Sequence, residues 1–249
     1  MQTGHSTSEV EINEKTWRII VGGVRRLGLV LAKSLSENHK LVLTSSQTPE
    51  RAEEISKLSI LTDVRRLRWD ANDPQLTSQM MTDLEALRGD GIQLNGAVIA
   101  AGTFPSTPLG SWDVNTLQQI WKINLTFPFL AAQSLAPYLT DGSCIQFILD
   151  TCIHRPWLNR LPYSSAKSGL ASLVYGLAQS LAPNIRVVGH AIGAVLPDAE
   201  SDPAFLQNQT LLKRLGCPED LIRAINYADS SPYLTGEILT LDGGRRWFI

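Results

Sequence analysis

From Trp17 onward the chain alternates short apolar runs with longer amphipathic ones. WRIIVGG is followed by a helical stretch to about Ser36, then by KLVLT, PERAEEISKL and VRRLRWD. Further apolar runs lie at Leu94 to Ala101, Cys144 to Asp150, Ile185 to Ile192 and Glu237 to Leu241, with helical segments between them. Continuous apolar runs of strand length, separated by helix-length segments, are the βαβ rhythm of a parallel sheet whose strands are buried on both faces. The pattern predicts an α/β fold: a single Rossmann-like, doubly wound parallel sheet of about seven strands with helices on both faces. Residues 1–16 are polar and read as a flexible leader, with 17–249 as one domain. The least regular stretch, Gly193 to Gly216, is too long for an ordinary connection and is expected to form a lid or binding wall.

In an open parallel sheet the ligand crevice lies beyond the carboxyl ends of the strands. Gly22, Asp70, Gly102, Asp150 and Gly193 all fall at such ends, so residues far apart in sequence should converge.

Composition narrows the partners. A formal net charge of −2 without a long Lys/Arg run removes the electrostatic footprint of a nucleic-acid or anionic-membrane binder. No run approaches the ~20 apolar residues of a membrane span, so a cytoplasmic protein is expected. Cys144, Cys152 and Cys217 are odd in number and lack paired ligand spacing, which argues against a disulfide framework and against a metal site. Small-molecule chemistry remains.

Val21-Gly22-Gly23-Val24-Arg25-Arg26-Leu27-Gly28 ends the first strand and opens the first helix, where small residues let backbone N–H groups approach a pyrophosphate. The second strand ends in Thr44-Ser45-Ser46-Gln47, with no acidic residue to hold the ribose hydroxyls of NAD. Neutral hydroxyls with Arg25 and Arg26 nearby favour a 2′-phosphate, hence NADP(H). Either arginine could instead face solvent. Asp70 is placed to accept from an adenine amino group or, equally, to cap the following helix. Leu27, Ala71, Ala101, Gly102 and Gly193 complete the expected cofactor wall.

Tyr163-Ser164-Ser165-Ala166-Lys167 carries the strongest local chemistry, because a four-residue separation on a helix sets the ammonium beside the phenol. Lys167 is expected to lower the Tyr163 pKa from its usual value of about 10. Asn124 falls on the stripe of Ile120 and Trp121, as a satisfied core amide or as the holder of a water that relays protons to Lys167.

The glycine turn, strand-end Asp70, Asn124, Tyr163-x-x-x-Lys167 and the ending Tyr233-Leu234-Thr235-Gly236 to Leu241-Asp242-Gly243-Gly244 occur in that order. Together they resemble the short-chain dehydrogenase/reductase family over about Trp17 to Ile249. The resemblance implies hydride transfer between nicotinamide and substrate, with Tyr163 as acid/base, Lys167 on the ribose and Asn124 in the proton relay. It also implies a homotetramer, in which the tail Arg245 to Ile249 is expected to reach a neighbouring site.

Three departures narrow the resemblance to the pteridine reductases: Arg26 where a middle glycine is usual, Asp150 where a serine is usual, and Phe104 after Gly102. An ionised Asp150 only accepts hydrogen bonds, which suits a substrate rich in N–H groups, such as a pterin. Phe104 offers a stackable wall to a flat heterocycle, and Arg26 a donor to a ring carbonyl. Trp157, Leu158, Leu196, Pro197 and Phe205 are further candidates for the substrate wall. Two other departures, Ile99-Ala100 before Ala101-Gly102 and Ile192 before Gly193, touch the cofactor side.

The expected function is NADPH-dependent reduction of a dihydropterin, with Tyr163 and Asp150 delivering the proton. A reductase of another carbonyl or imine and a non-catalytic NADP(H)-binding protein stay open, as does Thr151 in the place of Asp150, which would restore carbonyl chemistry.

Overall fold

The computed structural model describes residues 15–46, 52–197 and 202–247. The expected leader lies outside the described residues as far as residue 14, as do Gln47 and the tail residues Phe248 and Ile249. Seven strands, β1 (Thr16–Val21), β2 (His39–Ser45), β3 (Val64–Arg68), β4 (Leu94–Ile99), β5 (Leu139–Asp150), β6 (Arg186–Ile192) and β7 (Glu237–Leu241), form one sheet in the order β3-β2-β1-β4-β5-β6-β7. Every pairing is parallel. The helices are α1 (Arg26–Leu35), α2 (Ala52–Leu61), α3 (Leu76–Gly89), α4 (Val114–Trp121), α5 (Phe127–Leu135), α6 (Leu161–Leu181), α7 (Pro203–Asn208) and α8 (Pro218–Ser230).

The period of two along each strand sorts its side chains between two cores. Ile19, Val21, Ala97, Ile99, Phe147 and Leu149 face α3, α5 and α6. Ile20, Leu41, Leu43, Val98 and Ile148 face α1, α2 and α8. Ile99, Ala100 and Ile192 join these two cores, so the residues that depart from the usual family pattern there are packing groups of the sheet. The register aligns Val21 with Ile99, Ile99 with Phe147 and Asp150 with Ile192, which brings the strand ends to one edge. No helix among the described residues is long and apolar enough to cross a membrane.

A buried polar row crosses the α8 face. Arg18 pairs with Asp229 at 2.8 Å, Gln146 Nε2 donates to Asp229 at 2.7 Å, and His190 Nε2 meets Gln146 Oε1 at 2.7 Å. Because the Gln146 amide nitrogen is spent on Asp229, its oxygen must accept, which assigns the proton to His190 Nε2. Nδ1 has no partner among the described residues, so protonating it would bury a charge without an acceptor. Burial accordingly lowers the His190 pKa from 6.5 to about 4. The unfolded chain takes up this proton below about 6.5 and the folded one only near 4. The stability that His190 contributes is therefore complete above pH 6.5 and is lost as the pH falls toward 4, by ~3 kcal/mol in all. Urea midpoints measured from pH 7 to 4.5 should fall more steeply for wild type than for His190→Gln; parallel slopes would rule this out.

Candidate active site

At the β1–α1 turn, Gly22 has φ +83° and lies so close to β4 that a Cβ there would stand 2.9 Å from the Ala101 backbone. A Cβ on Gly28 would stand 2.0 Å from the Gly22 carbonyl, so only glycine closes this turn against its helix. Thr44 Oγ1 accepts from Gly22 N at 3.2 Å and braces the turn from β2. Arg26, at the position where the family usually has glycine, holds φ +43°, a left-handed backbone that glycine adopts at little cost. Its guanidinium reaches across the strand ends and donates to Leu196 O at 2.8 Å.

A crevice of about 420 Å³ opens beside this turn. Gly22, Arg25, Arg26, Leu27, Ser45, Ser46, Asp70, Ala71, Ala101 and Gly102, all expected on the cofactor wall, line it. Its glycine cradle, helix N-terminus and basic rim suit a dinucleotide pyrophosphate. Asp70 does not cap α3, which begins at Leu76; its carboxylate accepts from Asn72 N at 2.9 Å and lies 3.5 Å from Arg68. Gly193 is set apart from the crevice. It lines a separate cavity of about 780 Å³ with Val195, Thr210 and Arg246, a cavity that holds none of Asp150, Tyr163 and Lys167.

The reacting residues meet at the end of β5. Tyr163 stands in the first turn of α6 and is 6% exposed; its hydroxyl donates to Asp150 Oδ2 at 3.1 Å. The other carboxylate oxygen, Oδ1, accepts from Cys152 N at 2.7 Å and from Trp157 Nε1 at 3.0 Å. Asp150 thus faces the phenol, whereas Thr151 is buried with its hydroxyl lacking a partner among the described residues.

Lys167 lies one helical turn on, buried, and its ammonium donates to Ile148 O at 2.9 Å. The expected lowering of the Tyr163 pKa is reversed: burial first, then the Asp150 carboxylate, push it well above 10. The helix does set Lys167 5.9 Å from the Tyr163 ring centroid, but the ammonium is spent on the strand carbonyl and the nearer charge is negative. Burial lowers the Lys167 pKa, opposed by Asp150.

Asn124 sits in a π-helical turn, Lys122–Thr126, between α4 and α5. Its amide donates to Ile120 O at 3.0 Å and Thr103 Oγ1 at 3.2 Å and accepts from Thr103 N at 3.0 Å. π-turns are rare and concentrate at functional sites. A Cβ on Gly102 would stand 2.9 Å from Asn124 Oδ1 and 3.7 Å from Lys167 Nζ, so the three converge. Trp121 leaves the buried stripe and donates to Ser165 Oγ at 2.8 Å.

The segment carrying Phe104 is fastened by Thr107 N donating to Asn159 O at 2.7 Å. Phe104 meets the Tyr163 ring edge-on at 4.7 Å, 44% exposed. Arg160, which the motif reading did not single out, lies over the Phe104 ring at 3.9 Å and donates to its carbonyl at 2.7 Å. Trp157 turns its indole N–H toward Asp150, while Leu158 and Phe205 are exposed and Leu196 receives Arg26. Arg245 folds back onto Trp157 of its own chain at 4.4 Å. No spacing in the sequence announces the roles of Thr103, Arg160 and Arg245, because their partners lie on other loops.

A family model described as Enoyl-(Acyl carrier protein) reductase matches residues 23–246. Tropinone reductase-like 3 from Erythroxylum coca is 32% identical over 162 residues, 61% of this chain and 63% of that protein, so the match spans under two thirds of its length. Dihydromonapterin reductase from Klebsiella pneumoniae subsp. pneumoniae is 25% identical over 238 residues, 91% of this chain and 95% of that protein. Among solved structures, a dehydrogenase/reductase from Sinorhizobium meliloti 1021 superposes with a TM-score of 0.83 at 27% identity, covering 92% of this chain and 94% of that one.

Proposed function

The chain belongs to the short-chain dehydrogenase/reductase family, and from that premise we propose that it is an NADPH-dependent reductase that converts a dihydropterin to a tetrahydropterin. The observation that carries this reading is the Asp150 carboxylate 3.1 Å from the Tyr163 hydroxyl. A carboxylate there accepts N–H groups from a heterocycle, where a serine would donate to a carbonyl. Similarity to dihydromonapterin reductase along most of the chain supports the same substrate class.

The crevice lined by Gly22, Arg25, Arg26, Asp70 and Gly102 would hold NADPH, whose chemistry when bound would be to supply a hydride to a ring carbon of a C=N bond. Tyr163, kept protonated by its surroundings, gives a proton to the adjacent ring nitrogen. Asp150 Oδ2 takes a ring or amino N–H and holds the heterocycle in register, while Phe104 stacks on its face. Lys167, buried beside Tyr163 with its proton loosened by burial, would return a proton to the phenol after leaving Ile148 O, and Asn124 stands by, held against Thr103.

Arg25, Ser45 and Ser46 are the groups of the crevice that would hold a 2′-phosphate. Removing one charge-assisted contact in Arg25→Ala should cut kcat/KM for NADPH by about 10- to 100-fold and leave that for NADH within about twofold. Equal losses with both cofactors would contradict a 2′-phosphate role.

The reading is tested by NADPH oxidation, followed by absorbance, with dihydrobiopterin and in parallel with an acetoacetyl ester. Turnover of the pterin supports it. Turnover of the ester alone would replace it with a carbonyl reductase, and NADPH binding without turnover of either would replace it with a cofactor-binding protein.

A further inference from the structure

Which oxygen of Asp150 faces the phenol is decided by groups outside the reacting pair. We propose that Trp157 is a positioning residue for Asp150, clamped by Arg245 and Gln209, so that the segments after β7 and α7 set the geometry of proton delivery; the catalytic part of this rests on the reductase reading above.

Asp150 Oδ1 carries two donors, Cys152 N at 2.7 Å and Trp157 Nε1 at 3.0 Å. Two donors fill the lone pairs of one oxygen, which leaves Oδ2 for Tyr163 and for a substrate N–H. Without the indole, Oδ1 would be held by the Cys152 N–H alone, and the only other restraint on the carboxylate would be the longer 3.1 Å contact of Oδ2 with Tyr163, the contact whose geometry is at stake. The indole N–H adds a second hold on Oδ1.

An indole on a loop needs support of its own. The Trp157 loop is tied to the start of α6 by Trp157 N donating to Ser164 Oγ at 3.1 Å and by Arg160 N donating to Trp157 O at 2.9 Å. The ring packs with Ile120, Cys152 and Tyr163. Its remaining face carries the Arg245 guanidinium at 4.4 Å, a planar cation on the best of the aromatic faces. Arg245 is in turn fixed by donating to Gln209 Oε1 at 2.9 Å, just beyond α7. Burial lowers the Arg245 pKa and the Asp150 charge raises it, as expected of a cation drawn into this site. A continuous chain therefore runs from Gln209 through Arg245 and Trp157 to Asp150 and Tyr163. It joins the long connection after β6 to the reacting carboxylate.

Crystal structures of wild type and Trp157→Phe test the arrangement without reference to any substrate, since phenylalanine keeps the ring and loses only the N–H. The carboxylate of Asp150 is expected to rotate and to give up its 3.1 Å contact with Tyr163; an unmoved carboxylate would overturn the proposal. In turnover of whichever substrate wild type accepts, kcat should fall about tenfold with NADPH affinity unchanged. Arg245→Gln should give a smaller loss of the same kind. A parallel loss of kcat, NADPH affinity and melting temperature would make Trp157 merely structural and overturn the proposal. Failure of wild type to reduce a dihydropterin, with Asp150 still displaced in Trp157→Phe, would count against the substrate alone.

Discussion

Tyr163→Phe is expected to lower kcat by about 10²- to 10⁴-fold, the usual contribution of a positioned general acid, while NADPH binding stays within about threefold of wild type. The phenol is buried at the end of β5, and its hydroxyl has Asp150 Oδ2 as its partner at 3.1 Å. Burial and the carboxylate keep it protonated, which is the state a reduction needs at its proton-delivering group. Phenylalanine fills the same space and keeps the edge-on contact with Phe104, so the fold loses one hydrogen bond and no packing. Steady-state rates paired with NADPH fluorescence titration separate the two effects. A variant within tenfold of wild type would remove Tyr163 from the proton step.

The second large effect is a change of preference. Asp150→Ser should lower kcat/KM for a dihydropterin by about 10²- to 10⁴-fold, since a charge-assisted acceptor is lost and a substrate N–H is left unpaired in a partly buried site. The same variant should gain activity on an acetoacetyl ester, because a serine hydroxyl can donate to a carbonyl oxygen. Serine can still accept from Cys152 N, so the short helical turn at Thr151–Ile153 that Asp150 now caps should survive. Rates on both substrates decide the matter: equal losses on pterin and ester would mean that Asp150 serves the architecture and not the choice of substrate.

The strands were legible because they are buried on both faces, so an apolar run bounded by turn residues has few other readings. Ile19 and Ile20 enter opposite cores, and either alone would have read as helix or strand. That these residues share one crevice was legible because a glycine turn and strand ends sit at fixed offsets in a parallel sheet: Gly22, Arg25, Ser45, Asp70 and Gly102 all line it. What failed needed distances between elements. The spacing of Tyr163 and Lys167 is right, yet it does not reveal that the ammonium turns to Ile148 O while Asp150 faces the phenol. Asp70 stays open between an adenine acceptor and a helix cap until α3 is seen to begin at Leu76. Gly193 ends its strand as expected but opens on the cavity beyond β7. Trp157 and Arg245 meet from two loops and follow no period, so only the fold brings the indole to the carboxylate.

The most direct test follows the hydride itself. Wild-type protein is mixed with dihydrobiopterin and NADPH carrying deuterium at the transferable position of its nicotinamide, and the product is weighed by mass spectrometry after one turnover. The account predicts tetrahydrobiopterin with one deuterium on a ring carbon, formed at least about tenfold faster with NADPH than with NADH. Unlabelled or absent tetrahydropterin, with the ester reduced and labelled under the same conditions, would contradict it.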